Sequence, residues 1–419
     1  MHVGVQLVLA AAVWLVSSSA AVAASNCTFR STARTWQLQQ NCWTDATLAI
    51  PNGVTLDGRG RTITAIDPEG GHFLGAVVRN AGGTAHVRNL TIEARELTNV
   101  CDGEGPPDQR LRGILFEGAS GTITGNRIRN LRQIGSGCQE GAAIEIRGPS
   151  QGAPLQVLVA LNIVEGYQKT GVLANGSVEV NVTANRITGL GPVGVIAQNG
   201  IQLGFGATGS IERNRVEQNI YTGGDAASTG ILLLEAGAPI EIARNRIDDN
   251  DIGIHLASTS DVVVRSNEIS GSTYDGIAID GRGAPALGNY VVSNRLVDNN
   301  IGVDIFGAGA SSNEVVDNRI TDSVLAGIQL AFGASTNVLE GNRLRRNAAG
   351  AFVIGDDNDI LDNVIAGSDG VGLHVEGSGN DVQGNDVDGS GGLDIVNSGA
   401  NAYDDNRCTS SSGSPVDCP

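Results

Sequence analysis

An all-β solenoid is the fold this sequence predicts: a parallel β-helix of about twelve coils, with asparagine ladders and capped ends. Three observations predict it. Asparagines recur in pairs five residues apart, at Asn289/Asn294, Asn313/Asn318, Asn337/Asn342, Asn358/Asn363, Asn380/Asn385 and Asn401/Asn406. The triplet Asn-x-aliphatic recurs at Asn126, Asn185, Asn214, Asn245, Asn267 and Asn294, then at intervals of 21 to 24 residues. A second mark, Gly-aliphatic-x-apolar, follows each triplet, as "GILL" at 230, "GIHL" at 253 and "GIAI" at 276.

Within a unit the apolar residues alternate. In "SNEVVDNRI" the inward set is Asn313, Val315, Asn318 and Ile320. Period two means strand, and the single break in it means a corner. A coil of ~22 residues at ~3.3 Å each has a perimeter of roughly 70 Å, which suits two or three strands per turn. Stacked coils place equivalent residues ~4.8 Å apart, so an inward asparagine at a corner can bond local backbone and the next asparagine. These residues therefore read as structural. The glycine of the second mark is expected to supply positive φ at another corner. A leucine-rich repeat also carries an asparagine ladder, but it requires L-x-x-L-x-L, and leucine is not favoured over Ile or Val here.

The ends differ from the repeat. Residues 1–23 read as a signal peptide: an apolar run from Val3 to Val16 precedes Ala21-Val22-Ala23, a small-x-small cleavage site. A secreted or periplasmic location follows, and no later run is long enough to span a bilayer. Residues 24–50, with Phe29, Trp36 and Trp43, read as an N-terminal cap. Residues 51–406 form the solenoid, and 407–419 form a disulfide-closed tail. Six cysteines suit an oxidising compartment. The pairs near in sequence are Cys27–Cys42, Cys101–Cys138 and Cys408–Cys418, among fifteen possible connectivities.

The stretch "GVTLDGRGRTI", Gly53 to Ile63, and the "NRI…GIxL" units resemble the right-handed parallel β-helix proteins of the pectin-lyase-like superfamily, in particular their NosD-like repeat members. The resemblance spans residues 50 to 406. It implies the right-handed fold; its activities range over lyases, hydrolases, epimerases, adhesins and accessory proteins.

A net charge of −18 opposes binding to nucleic acid or anionic membrane. It also counts against an acidic polysaccharide unless cations bridge. Insertions cluster between the NRI strand and the next Gly-Ile strand in the first half: Leu97 to Arg112, Leu131 to Ala142, and stretches near 165, 189 and 219. Stacking in register would set these loops side by side, making a groove along the Gly-Ile strands. Tyr167, Tyr221 and Tyr274 share one loop position beside it.

Outward positions of the Gly-Ile strand form a column: Leu115, Glu145, Leu173, Gln202, Leu232, His255, Ala278, Asp304, Gln329. The next column holds Glu117, Arg147, Asn175 and later Asp280. His255, Asp280, Asp304 and Glu235 are the candidate acid–base residues. Glu145, Arg147, Tyr167, Lys169, Gln202, Tyr221 and Tyr274 are candidate substrate contacts. The bland alternative for His255 is a solvated surface histidine.

Chemical signatures are sparse. The polygalacturonase-like set (Asn-Thr-Asp, Asp-Asp, Gly-His-Gly, Arg-Ile-Lys) is absent except for bare Asp-Asp pairs, which read as turns. "GDDNDI" at 355 offers oxygen ligands for calcium, against the plainer reading of an acidic turn. No other cofactor is implied. Copper work of the NosD kind would want His, Met or Cys ligands, and the single Met is the initiator. Three readings follow: a protein binding or processing polysaccharide or a cell-surface glycan in the groove (as a lyase, epimerase or hydrolase if an enzyme), a noncatalytic surface rod, and a NosD-like accessory protein for metal-site maturation.

Overall fold

A computed structural model describes residues 25–101, 109–133, 135, 137–224, 226–416 and 418. The signal segment lies outside the described residues, as do residues 102–108 of the first insertion. The described chain is a parallel β-solenoid of about 13 turns. It has no helix among the described residues. One sheet of 15 strands carries the Gly-Ile strands, and a bent sheet of 28 strands carries the two asparagine-bounded strands of each coil. The pairing is parallel and in register, coil on coil; Ile277, for example, aligns with Ile254 below and Val303 above.

The core is the inward half of the alternation. Ile254, Ile277, Val303, Ile328, Ala351, Leu373 and Ile395 stack from coil to coil, essentially without solvent exposure. Such a column removes most of its apolar surface from water, and that burial drives the winding.

The asparagines form ladders. Asn318 donates its backbone N–H and its Nδ2 to Asn342 Oδ1 at 3.0 and 3.1 Å, and Nδ2 also reaches Val291 O at 2.8 Å. The pattern runs from Asn126 to Asn406 through Asn162, a rung the Asn-x-aliphatic count passed over. The second ladder runs from Asn289 to Asn401. A third corner, before the Gly-Ile strand, mixes Asn219, Asn250, Asn299 and Asn347 with Ser272 and Ser323. The chain turns at the residue before each rung: Asp317, Asp362, Asp249, Asp298 and Gly271 all have positive φ. Asp and Gly tolerate that conformation better than most residues.

The glycines of the second mark need a different explanation from the expected one. Gly253, Gly276 and Gly327 do not have positive φ. A Cβ on each would lie 2.5, 2.6 and 2.6 Å from the carbonyl oxygen of the glycine in the next coil. Val77 and Ala143 hold this place in two early coils. From Gly171 onward glycine lets successive backbones stack closely.

The three sequence-near disulfides are all formed. At the N-terminus, Phe29–Ser31 pairs antiparallel with Thr35–Leu38, and the Phe29 and Trp36 rings lie 5.4 Å apart. Thr35–Leu38 already pairs in parallel with Val54–Ala65, so coiling begins inside the segment expected to be only a cap. At the other end Ser411–Ser412 adds to the Gly-Ile sheet. Asp394 closes that end by accepting hydrogen bonds from Thr409 Oγ1 at 2.6 Å and Thr409 N at 3.0 Å. No helix long and apolar enough to cross a membrane occurs among the described residues.

Candidate functional site

The first-half loops do stack. Leu97 bridges Gln133, Gln133 N donates to Gln168 Oε1 at 2.8 Å, and Gln168 Nε2 donates to Cys138 O at 3.0 Å. The Cys101–Cys138 disulfide ties the first two insertions together. Beside this wall runs the outer face of the Gly-Ile sheet. Its register aligns Leu115, Glu145, Leu173, Gln202, Leu232, His255, Ala278, Asp304 and Gln329 in one column. Two polar clusters stand on it.

The first cluster lines a cavity of about 420 Å³. Arg112, Glu145, Lys169, Asn199 and Gln202 form its polar wall, and Leu173, Leu232, Leu234 and Phe205 its apolar side. Glu145 is buried and bonds both Arg112 and Arg147. Asn199 Nδ2 donates to Gln202 Oε1 at 2.9 Å. Lys169 Nζ donates to Ala197 O at 2.7 Å, and burial lowers its pKa.

The second cluster lies some coils further along. His255 Nε2 is 3.5 Å from Asp280 Oδ2. Arg282 holds Asp280 with two hydrogen bonds of 3.0 and 2.8 Å, and its guanidinium sits 4.7 Å from the Phe306 ring centre. Burial opposes ionisation of Asp280, but the bonds from His255 and Arg282 outweigh it and hold the carboxyl well below the usual range. Asp304 behaves oppositely. Burial pushes it up to about 7, against the bond from Gln329 Nε2 at 3.2 Å. Asp275 is likewise raised to about 7, by burial and then by Asp304. Asp275 and Asp304 occupy the same relative positions in their coils as Arg112 and Glu145, which touch. One face thus carries a carboxyl that stays protonated to near neutrality and a carboxylate that stays ionised.

Of the candidate acid–base residues, the fold brings His255, Asp280 and Asp304 together. Glu235 is exposed at the turn after Thr229–Leu234, at positive φ, and among the described residues His255 makes its ion pair with Asp280 and not with Glu235. Asp275 and Arg282 belong to the cluster and were not singled out from the sequence. The signal for Arg282 was local: two residues after Asp280, its N–H bonds Asp280 Oδ1 at 2.9 Å.

Glu145, Lys169 and Gln202 line the cavity, and Arg147 reaches it through Glu145. Tyr167 is a correction. Its ring is fully buried and its hydroxyl bonds Asn219, so it is a rung of the third corner, not a groove residue. The cause is a two-residue offset: Gly166 turns directly before Tyr167, whereas Gln218 and Gly271 turn three residues before Tyr221 and Tyr274. Tyr274 remains exposed, and Tyr221 is half-buried, with its N–H on Asp251 Oδ2 at 2.8 Å. In "GDDNDI", Asn358 turns inward as a rung and Asp356 accepts from Ser378 N at 2.7 Å, so the run builds a corner. No group of three or more His, Cys, Asp or Glu suited to a metal occurs among the described residues.

A right-handed solenoid with a loop-walled groove defines the class, and the chain belongs to the family described as the right handed beta helix region, matched over residues 112–228 and 229–388. None of the curated proteins matches the sequence. Among solved structures the chain is similar to a mutant of the periplasmic alginate epimerase AlgG, with a TM-score of 0.50, 11% identity, and 88% of this chain and 78% of that one covered. It is also similar to the pectate lyase Pel9A, at a TM-score of 0.41 and 11% identity over 75% and 72% of the two chains. A third is the A-module of the Azotobacter vinelandii mannuronan C-5 epimerase AlgE4, at 0.39 and 13% over 80% and 91%. At these identities the likeness is one of fold.

Proposed function

We propose that this is a secreted or periplasmic protein that binds polysaccharide along the Gly-Ile groove and processes it by acid–base chemistry at His255, Asp280 and Asp304. One arrangement carries the reading: on one face His255 Nε2 lies 3.5 Å from Asp280, which Arg282 holds, beside the buried Asp304 bonded by Gln329, so that the two carboxyls are biased to opposite protonation states. Such a separation supplies a proton donor and an ionised partner together. Asp304 is the donor. Asp280 stays ionised and sits beside His255, whose Nε2 is buried and otherwise without a hydrogen-bond partner. A linear glycan suits the site because the outward column runs along the stacked coils and sets polar side chains, Glu145, Gln202, His255 and Asp304, on alternate coils. The three disulfides fit an oxidising compartment.

The test uses the chain from Ala24, incubated with neutral and acidic polysaccharides in heavy water and read by mass spectrometry. Hydrolysis adds water, elimination leaves unsaturated ends, and epimerisation exchanges a carbon-bound hydrogen for deuterium. One such product is expected, with Asp304→Asn and His255→Ala each slowing its formation by about 10²-fold or more without unfolding the chain. Product formation unaffected by both substitutions would refute the assignment. Silence across the panel would favour a noncatalytic solenoid.

A further inference from the structure

Lys169 is the only lysine in the chain, and it lies in the cavity of about 420 Å³ beside the stacked loops. Its one hydrogen bond among the described residues goes to Ala197 O. An ammonium carries three donors, so two are unfilled. No carboxylate lies within ion-pair distance of it among the described residues. Glu145, the acidic residue lining the cavity, is engaged by Arg112 and Arg147, and Glu117 beside Arg147 is engaged by Arg79 at 3.0 Å. Glu140, buried nearby, receives the N–H of Leu111. Arg79, Arg112 and Arg147 are thus each engaged by one of these carboxylates, whereas Lys169 is engaged by none among the described residues. Lys169 is a cation without a carboxylate partner among the described residues, in a chain that as a whole carries −18. A cation taken out of water without a counter-ion is costly, and an anion delivered to it recovers part of that cost.

The rest of the cavity indicates what carries the anion. Asn175 Oδ1 is buried with no hydrogen-bond donor among the described residues, which leaves an acceptor for a hydroxyl. Leu173, Leu232 and Phe205 offer apolar surface suited to the C–H face of a ring. We infer that this cavity binds one carboxylate-bearing sugar unit, with the carboxylate on Lys169, a hydroxyl on Asn175 and the ring against Leu173 and Phe205. The inference rests on the glycan reading of the groove and narrows it to acidic glycans anchored at this end. Net charge counted against such a ligand; Lys169, with no carboxylate partner among the described residues, gives it a local anchor in spite of that charge.

Binding is tested apart from turnover, with D-glucuronate and methyl glucoside as probes. Calorimetry should show saturable binding of glucuronate and none of methyl glucoside. Glucuronate should also slow acylation of Lys169, which mass spectrometry reads without interference from another lysine. Lys169→Met should weaken glucuronate binding by roughly tenfold or more, and Lys169→Arg should retain part of it. Equal binding of the two probes, no protection of Lys169, or an unchanged affinity in Lys169→Met would each overturn the assignment. Protection by glucuronate together with a silent polysaccharide panel would keep this site and remove the processing reading.

Discussion

Replacing Asn342 by alanine tests the ladder directly. Asn342 is fully buried. Its Oδ1 receives both Asn318 N and Asn318 Nδ2, and its own Nδ2 donates to Val315 O at 2.7 Å and Asn363 Oδ1 at 3.0 Å. Alanine removes all four bonds. Asn318 Nδ2 keeps Val291 O, and Asn363 Oδ1 keeps the backbone N–H of residue 342. The Asn318 N–H and the Val315 carbonyl are left without these partners. A buried polar group that loses its partner costs about 1–3 kcal/mol, so with two such groups the loss should be about 2–6 kcal/mol. The assay is urea unfolding of the oxidised protein followed by circular dichroism, with limited proteolysis to locate the opening. Cleavage should concentrate in the coils around residue 342, because a solenoid's coils depend on their nearest neighbours. Arg343→Ala, one residue along and pointing to solvent, is the control and should change stability by no more than about 0.5 kcal/mol. A loss below about 0.5 kcal/mol in Asn342→Ala would show that the ladder is not what holds the corners.

Three further outcomes follow from the same geometry. Gly327→Ala should destabilise by about 1–3 kcal/mol in the same assay, because its Cβ would lie 2.6 Å from Gly350 O; wild-type stability would show that the coils can separate there at no cost. Tyr167→Phe should cost about 1–2 kcal/mol of stability by removing the bond to Asn219, and should leave glycan binding and turnover unchanged; altered binding with unchanged stability would return Tyr167 to the groove. The raised Asp275 and Asp304 bind protons in the folded state that the unfolded chain has released, so stability against urea falls as pH rises from about 4 to about 7. Asp304→Asn should flatten that slope, and an identical slope in the variant would refute the protonated carboxyl.

The repeat was legible because each coil obeys the same two constraints, an alternating core and a polar rung at each corner. Asn294 and Ile320 therefore announce their places in any coil. The outward column was legible for the same reason: once Ile254 points inward, His255 must point outward. The loop residues were harder to place. Tyr167 and Tyr221 both fall in the loop that precedes a Gly-Ile strand, but the position of the turn residue decides which side chain faces inward. The glycines misled in another way. Glycine serves both for positive φ and for close approach, and sequence alone does not separate the two uses.

What the sequence by itself determined was the coil: its length, its corners, its inward and outward faces and the order of residues along the groove. Those are set by local periodicity and by backbone groups that must be satisfied wherever they are buried. What only the tertiary structure decided was chemistry between coils. The opposite protonation of Asp280 and Asp304, the buried Arg112–Glu145 pair and the unmatched charge of Lys169 all arise from burial and from partners up to 33 residues away in sequence. A carboxyl's proton depends on the water and charge around it, and that environment exists only once the coils have stacked.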